Sequence, residues 1–341
     1  MKMVTGDEDR SVFADMGLKV FDIDDEPMPH GAWWWWWWLF MFDNPKNPEK
    51  PRQLMILWST MNVKEIECND LPIKLNLTSD RSNIDGAVCA WYFDGEKMHH
   101  NFLREQCYLK VTENSIASGS AVPTSYSVDG SKSIVKIGDE FEFISDVEDI
   151  NEFTLPVYNS HTYLGNLGFC ILRFNRLGLT GEVNGEKITG TSYFQRVFVN
   201  APSPSWYWGI FHFENGAIMS YFNPNLFGLS VSKNISFFDG SEMHEIKNVK
   251  VIRSGGEIPT FTISGDDGEK KMDFTVSSYS HSSWTFNKKR LGVIPSKLVY
   301  NEYPAVITDL RFADKKTGKI TTLEDLGKSI GNAEHTTGLL L

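Results

Sequence analysis

The stretch Trp35-Trp36-Trp37-Trp38-Leu39-Phe40-Met41-Phe42-Asp43-Asn44 returns, altered, as Trp206-Tyr207-Trp208-Gly209-Ile210-Phe211-His212-Phe213-Glu214-Asn215. Five of the ten positions are identical and three more are chemically close, at an offset of 171 residues in a chain of 341. Asp94-Gly95-Glu96-Lys97 pairs with Asp267-Gly268-Glu269-Lys270 at nearly the same offset, 173. Two echoes half a chain apart read as a duplicated domain. Both copies of the aromatic stretch have strand composition, so the duplicated unit is a β domain.

The rest of the chain agrees. Short runs rich in Val, Ile, Phe, Tyr, Trp and Thr, such as Gln53–Met61, Phe102–Thr112, Ser192–Asn200 and Val306–Phe312, alternate with turn residues. Hairpin turns are expected at Asp94-Gly95, Asn184-Gly185, Asn215-Gly216, Asp239-Gly240 and Asp267-Gly268. The clearest helix signal is Thr322–Ser329, where Leu323, Leu326 and Ile330 follow helical spacing. The expected architecture is all-β, mainly antiparallel, barrel or sandwich, with little helix. The expected organisation is an acidic segment 1–27, a first domain 28–202 and a second domain 203–341, divided near Pro202–Pro204.

Composition excludes several functions. A net charge of −11 without a basic stripe argues against a nucleic-acid partner. The four cysteines, at 68, 89, 107 and 170, have no CxxC spacing. His161, His244 and His281 lack a His or Glu at ligand spacing, and His99-His100 point to opposite faces of a strand, so no metal is expected. The longest apolar run, Ala32–Phe42, is too short for a membrane helix, and the first residues have no apolar core. The expectation is a cytoplasmic protein without a transmembrane segment, peripheral membrane contact remaining open.

Along a strand side chains alternate, so Trp33, Trp35 and Trp37 share one face and Trp34, Trp36 and Trp38 the other. Three exposed indoles in a row would promote aggregation, so both faces need a cover. Packing alone is one reading. An aromatic-walled pocket with Tyr193, Gln195, His212 and Asn223 at its polar rim is the other. In the second copy Trp206, Trp208, Ile210 and His212 share a face, with Tyr207, Phe211 and Phe213 opposite.

Several of these segments resemble the carotenoid 1,2-hydratase (hydroxyneurosporene synthase) and AttH-like family. They are Gly31–Trp36, Gly190-Thr191-Ser192-Tyr193-Phe194-Gln195-Arg196-Val197-Phe198, Trp206-Tyr207-Trp208 with Asn215-Gly216, and more loosely Ser283–Arg290 and Gly331–His335. The resemblance implies two tandem lipocalin-like (calycin) β domains and an apolar ligand. It implies a cofactor-independent enzyme acting on an isoprenoid or polyene lipid, as a hydratase (hydro-lyase) or an isomerase or cyclase. A non-catalytic lipocalin-like carrier of an apolar small molecule is the alternative.

Gln195 stands where the family block has Asp, and Trp34 where it has Glu. An amide does not deliver a proton in the useful range. The candidate catalytic residues are therefore Glu214, His212, Glu334 and Tyr193. The candidate ligand-binding residues are Trp33, Trp35, Trp37, Gln195, Arg196, Trp206, Trp208, Tyr221, Asn223 and Trp284. No metal or other cofactor is called for.

Overall fold

β1 (Trp33–Phe42) is flanked on both sides along its whole length, by β2 (Arg52–Met61) and by β13 (Glu186–Asn200), both antiparallel. The computed structural model describes residues 20–21, 28–75, 83–146, 157–164, 167–225, 233–290 and 294–340. The expected acidic segment 1–27 lies outside them apart from Val20 and Phe21. The chain divides into two units. The first comprises Met1–Pro48, Arg52–Tyr92 and His99–Ala201; the second comprises Glu49–Pro51, Phe93–Met98 and Pro202–Leu341. Both are built of antiparallel β-strands.

The remaining strands of the first half are β3 (Glu65–Cys68), β4 (Leu71–Lys74), β5 (Ile84–Phe93), β6 (Met98–Val111), β7 (Ser115–Ser118), β8 (Thr124–Asp129), β9 (Lys132–Ile137), β10 (Phe141–Asp146), β11 (Val157–Leu164) and β12 (Leu167–Val183). Seven of them join β1, β2 and β13 in a ring of ten in the order β10-β9-β8-β7-β6-β5-β2-β1-β13-β12, closed by β10 pairing β12. The long β12 performs the closure. Its second half pairs β10 and its first half pairs β11.

Closure decides which face of β1 is inside. Trp34, Trp36, Trp38, Phe40 and Phe42 belong to the buried core. Their rings meet other rings: Trp38 lies 4.7 Å from Phe194 and 5.1 Å from Tyr126, and Phe40 lies 4.1 Å from Phe143, centroid to centroid. Such aromatic pairs add to the area each ring buries. Trp36 Nε1 donates to Val20 O at 2.7 Å and Trp58 Nε1 to Thr124 Oγ1 at 2.7 Å. The inner indoles therefore pack against one another and their neighbours.

The second half contains β14 (Ser205–Phe213), β15 (Ile218–Asn225), β16 (Asn234–Phe238), β17 (Met243–Lys247), β18 (Lys250–Ser254), β19 (Thr260–Asp266), β20 (Lys270–Ser278), β21 (Ser282–Arg290), β22 (Ile294–Asp314), β23 (Ile320–Thr322) and β24 (Ser329–Leu339). Their order is β17-β16-β15-β14-β24-β22-β20-β19-β18, with β21 and β23 also on β22. The two ends of that order, β17 and β18, are joined by Asn248 and Val249 alone, so the sheet curls round on itself. Phe211, Phe213, Tyr221, Tyr303 and Ala333 form part of its core.

β14 occupies the same place in its sheet as β1. Each pairs with the next strand and with the last strand of its unit. The shorter echo has another origin. Asp94–Lys97 joins β5 to β6, the third and fourth strands along the path from β1. Their counterparts along the path from β14 are β16 and β17, joined by Asp239-Gly240-Ser241-Glu242, whereas Asp267–Lys270 joins β19 to β20. All three turns use one device. The Asp Oδ1 accepts the amides two and three residues on, at 2.8–3.0 Å. The second echo thus repeats turn chemistry at non-equivalent places.

The expected helix Thr322–Ser329 is a single turn, α1 (Leu323–Leu326). Thr322 N donates to Asp325 Oδ2 at 2.7 Å and starts it. Gly327, at φ +77°, ends it. Ile330 then lies on β24, and its helical spacing is incidental. The runs Leu298–Asn301 and Val306–Phe312 form one strand, β22, which passes through Pro304. Among the described residues no helix is long and apolar enough to cross a membrane.

Candidate functional site

With Phe211, Tyr221, Ala333 and Tyr303 turned into the second core, alternation puts Trp206, Trp208, Asn332, Glu334, Tyr300 and Glu302 on the opposite face. The register aligns them. Trp208 is opposite Glu334, which is opposite Glu302, which is opposite Ser282. Two residues along, Tyr300 is opposite both Thr336 and Trp284. Trp206 is tied to that row by its backbone N–H, which donates to Thr336 Oγ1 at 2.7 Å.

Glu334 is the centre of the group and is 3% exposed. Its Oε2 accepts from Trp206 Nε1 at 3.0 Å, and its Oε1 accepts from the Tyr300 hydroxyl. Burial disfavours the carboxylate and outweighs both hydrogen bonds, raising the pKa from 4.5 to about 7. Glu302, fully buried, faces it across one strand spacing. Side chains so placed stand about 5 Å apart at Cβ.

The surroundings combine aromatic faces with unused polar atoms. Trp206 and Tyr300 pack edge to face at 5.8 Å. Trp284 is buried beside them, and Trp206, Trp208 and Tyr300 are half-buried. Among the described residues, both amide atoms of Asn332, Ser282 Oγ and Trp284 Nε1 are buried without a hydrogen-bond partner. Such atoms are costly unless something pairs with them. A carboxylic acid near its midpoint at neutral pH, beside ring faces and spare polar groups, can protonate a carbon–carbon double bond. The rings favour the cation that results.

Of the candidate residues, Trp206, Trp208, Glu334 and Trp284 are brought together here. His212 shares their face, four residues beyond Trp208, or roughly 13 Å along the strand. Glu214 is exposed past the strand end, where its Oε2 accepts the Lys328 amide at 3.0 Å. That role is structural and remote from Glu334. Tyr221 faces the core, its ring filling the space that Gly209 leaves. Its hydroxyl has no partner among the described residues, and burial raises its pKa. Asn223 is half-buried on β15 opposite Tyr207.

The first unit gathers its candidates separately. Trp33, Trp35, Trp37, Tyr193 and Gln195 share the outer face of β1 and β13. The Tyr193 hydroxyl donates to Gln195 Oε1 at 3.1 Å, and its ring meets Trp37 at 5.7 Å. Arg196, a ligand-binding candidate, lies on the other face. It points into the barrel, 7% exposed, with its guanidinium 4.2 Å from the Trp34 ring centroid. Alternation next to the outward Gln195 requires this.

The units can now be superimposed by register. Trp37 is opposite Gln195 as Trp208 is opposite Glu334, and β12 places Arg173 where β22 places Glu302. The last strand of one unit carries an amide where the last strand of the other carries an acid. Tyr300, Glu302, Asn332 and Ser282 escaped the sequence reading. Glu302, lone among Leu298–Ile307, was the available signal: a charge inside an apolar strand.

No protein-family model and no curated protein matches the chain. Solved structures similar to it include an AttH-type protein from Nitrosomonas europaea, at 11% identity over 90% of this chain and 92% of that one, TM-score 0.49. CghA solved with Sch210972 is similar at 8% identity over 92% and 89%, TM-score 0.47. CghA alone is similar at 8% over 92% and 90%, TM-score 0.48.

Proposed function

We propose that the protein is a cofactor-independent enzyme acting on an isoprenoid or polyene lipid, with Glu334 as its proton donor. The carrying observation is the buried acid itself, titrating near neutrality between an indole N–H and a phenol, opposite a second buried carboxyl.

The Glu334 carboxyl transfers its proton to an alkene carbon, forming a C–H bond and leaving a tertiary cation on the neighbouring carbon. The faces of Trp206, Trp208 and Tyr300 stabilise that charge electrostatically. Loss of a proton from an adjacent carbon to the Glu334 carboxylate gives an isomer. Attack by an internal double bond before that loss gives a ring. Attack by water, whose proton returns to Glu334, gives the hydrated product. Asn332 and Ser282 supply polar atoms able to hold that water. The resemblance noted in the sequence supports the substrate class.

The test is incubation of the purified protein with linear carotenoids and polyprenyl compounds in H2O and D2O, with products read by mass. A hydrated product, or a rearranged one carrying carbon-bound deuterium, is expected, and E334Q should abolish it. A full panel without turnover, or undiminished turnover by E334Q, overturns the proposal. A co-purified lipid that never turns over would favour the carrier.

A further inference from the structure

The hairpin joining β16 to β17 carries a second polar cluster, independent of Glu334. Asp239, Glu242 and His244 each present one donor atom, and the three atoms lie within 4.8 Å of one another. His244 is 1% exposed, and neither ring nitrogen has a hydrogen-bond partner. Its ring is held by Phe312 at 4.6 Å and Phe237 at 5.9 Å. Nε2 stands 3.4 Å from Asp239 Oδ2 and 3.7 Å from Glu242 Oε1. A buried imidazole with both nitrogens unsatisfied, facing two carboxylates, is more than an ordinary acidic turn.

The local fold explains the convergence. Asp239 Oδ1 is committed to the turn, accepting from the Ser241 amide, the Ser241 hydroxyl and the Glu242 amide. Its Oδ2 remains on the side of Nε2. Glu242 and His244 are two residues apart, the spacing that shares a face in extended chain. The expectation of no metal, drawn from the lack of a His or Glu at ligand spacing along the chain, misses a set that a hairpin assembles.

We propose that Asp239 Oδ2, Glu242 Oε1 and His244 Nε2 bind a divalent transition-metal ion of the zinc class, with a fourth position open to water. Ligands of a tetrahedral zinc at about 2.0–2.1 Å stand roughly 3.3–3.4 Å from one another. The separations of 3.4 and 3.7 Å are within a few tenths of that geometry. One imidazole and two carboxylates suit zinc, whereas calcium and magnesium call for more oxygens. The Lys319 ammonium, on a half-exposed side chain, pairs with the same Asp239 Oδ2. It holds an oxygen that a metal cation would need. The ion has to displace it, so Lys319 is a built-in competitor.

Zinc chloride is titrated into the full chain, free of any affinity tag, by calorimetry, and bound zinc is counted after dialysis. One zinc per chain is expected, with calcium and magnesium chloride giving no heat. Glu242→Ala alters an exposed side chain and should weaken binding about 10-fold or more, and His244→Gln about 100-fold. Lys319→Ala should tighten it about 10-fold, by removing the competing charge. No zinc on the dialysed wild type overturns the proposal. So does wild-type affinity in Glu242→Ala, or a Lys319→Ala chain that binds no tighter. The last two variants decide the matter even if His244→Gln fails to fold.

Discussion

Replacing Glu334 by Gln tests the buried acid directly. In the folded chain the carboxyl titrates at about 7, against an ordinary value of 4.5. Below pH 4.5 both folded and unfolded chains hold the proton, and the contribution to stability is complete. Between 4.5 and 7 the unfolded chain releases its proton while the folded chain keeps it, so stability falls. Above 7 the folded carboxyl ionises too and the loss levels off. A gap of about 2.5 pH units, at ~1.36 kcal/mol each, makes the total loss ~3 kcal/mol. E334Q does not titrate. Its amide oxygen still accepts from Trp206 or Tyr300, and whatever that exchange costs is the same at every pH. The readout is therefore a difference of differences: urea unfolding of both proteins at pH 4.5 and pH 8. E334Q should lose ~3 kcal/mol less than wild type over that interval. Parallel pH profiles, within about 0.5 kcal/mol, would refute the buried acid and remove the proton donor from the proposed reaction.

Trp206→Phe keeps a ring but removes the N–H that favours the charged form of Glu334, so the upper end of the stability window should move above pH 7 in the same experiment. Trp38→Ala empties an inner position walled by Phe40, Tyr126 and Phe194 and should cost about 3–5 kcal/mol, while Trp35→Ala, on the half-buried outer face, should cost less than half as much; equal losses by denaturant unfolding would contradict the assignment of faces. Gly190→Ala would place a Cβ 2.1 Å from Met41 O and 2.7 Å from Phe42 Cα, both backbone atoms, and should destabilise by at least ~2 kcal/mol in the same assay.

Much of the fold was legible because it is local. All five Asn-Gly and Asp-Gly pairs expected as hairpin turns have their glycine at positive φ, between +80° and +102°. The strand runs were readable from composition, and the duplication from the aromatic stretch, whose copies hold equivalent places in their sheets. Errors arose where local pattern and tertiary pairing part company. Asp267–Lys270 resembles Asp94–Lys97 because both turns need an Asp side chain and a permissive Gly, whatever strands they join. Thr322–Ser329 carries helical spacing, but Ser329 onward is claimed by pairing with β14 and β22.

The candidate site was legible in part. Trp206, Trp208, Trp284 and Glu334 were named from aromatic content and resemblance, and Glu214 and His212 were named on the same grounds. A list of residue types could not separate them, because it does not say which strands pair or at what alignment. Register separates them. Glu334 meets Trp206, Tyr300 and Glu302 only because β24 lies between β14 and β22 at one particular alignment.

What the sequence determined alone was the set of strands, their turns and the two faces of each aromatic strand, since alternation and turn chemistry act over a few residues. The tertiary structure alone decided which face is inside, which carboxyl loses its water and which side chains meet. Those depend on barrel closure and strand register, which join residues more than a hundred positions apart in the chain.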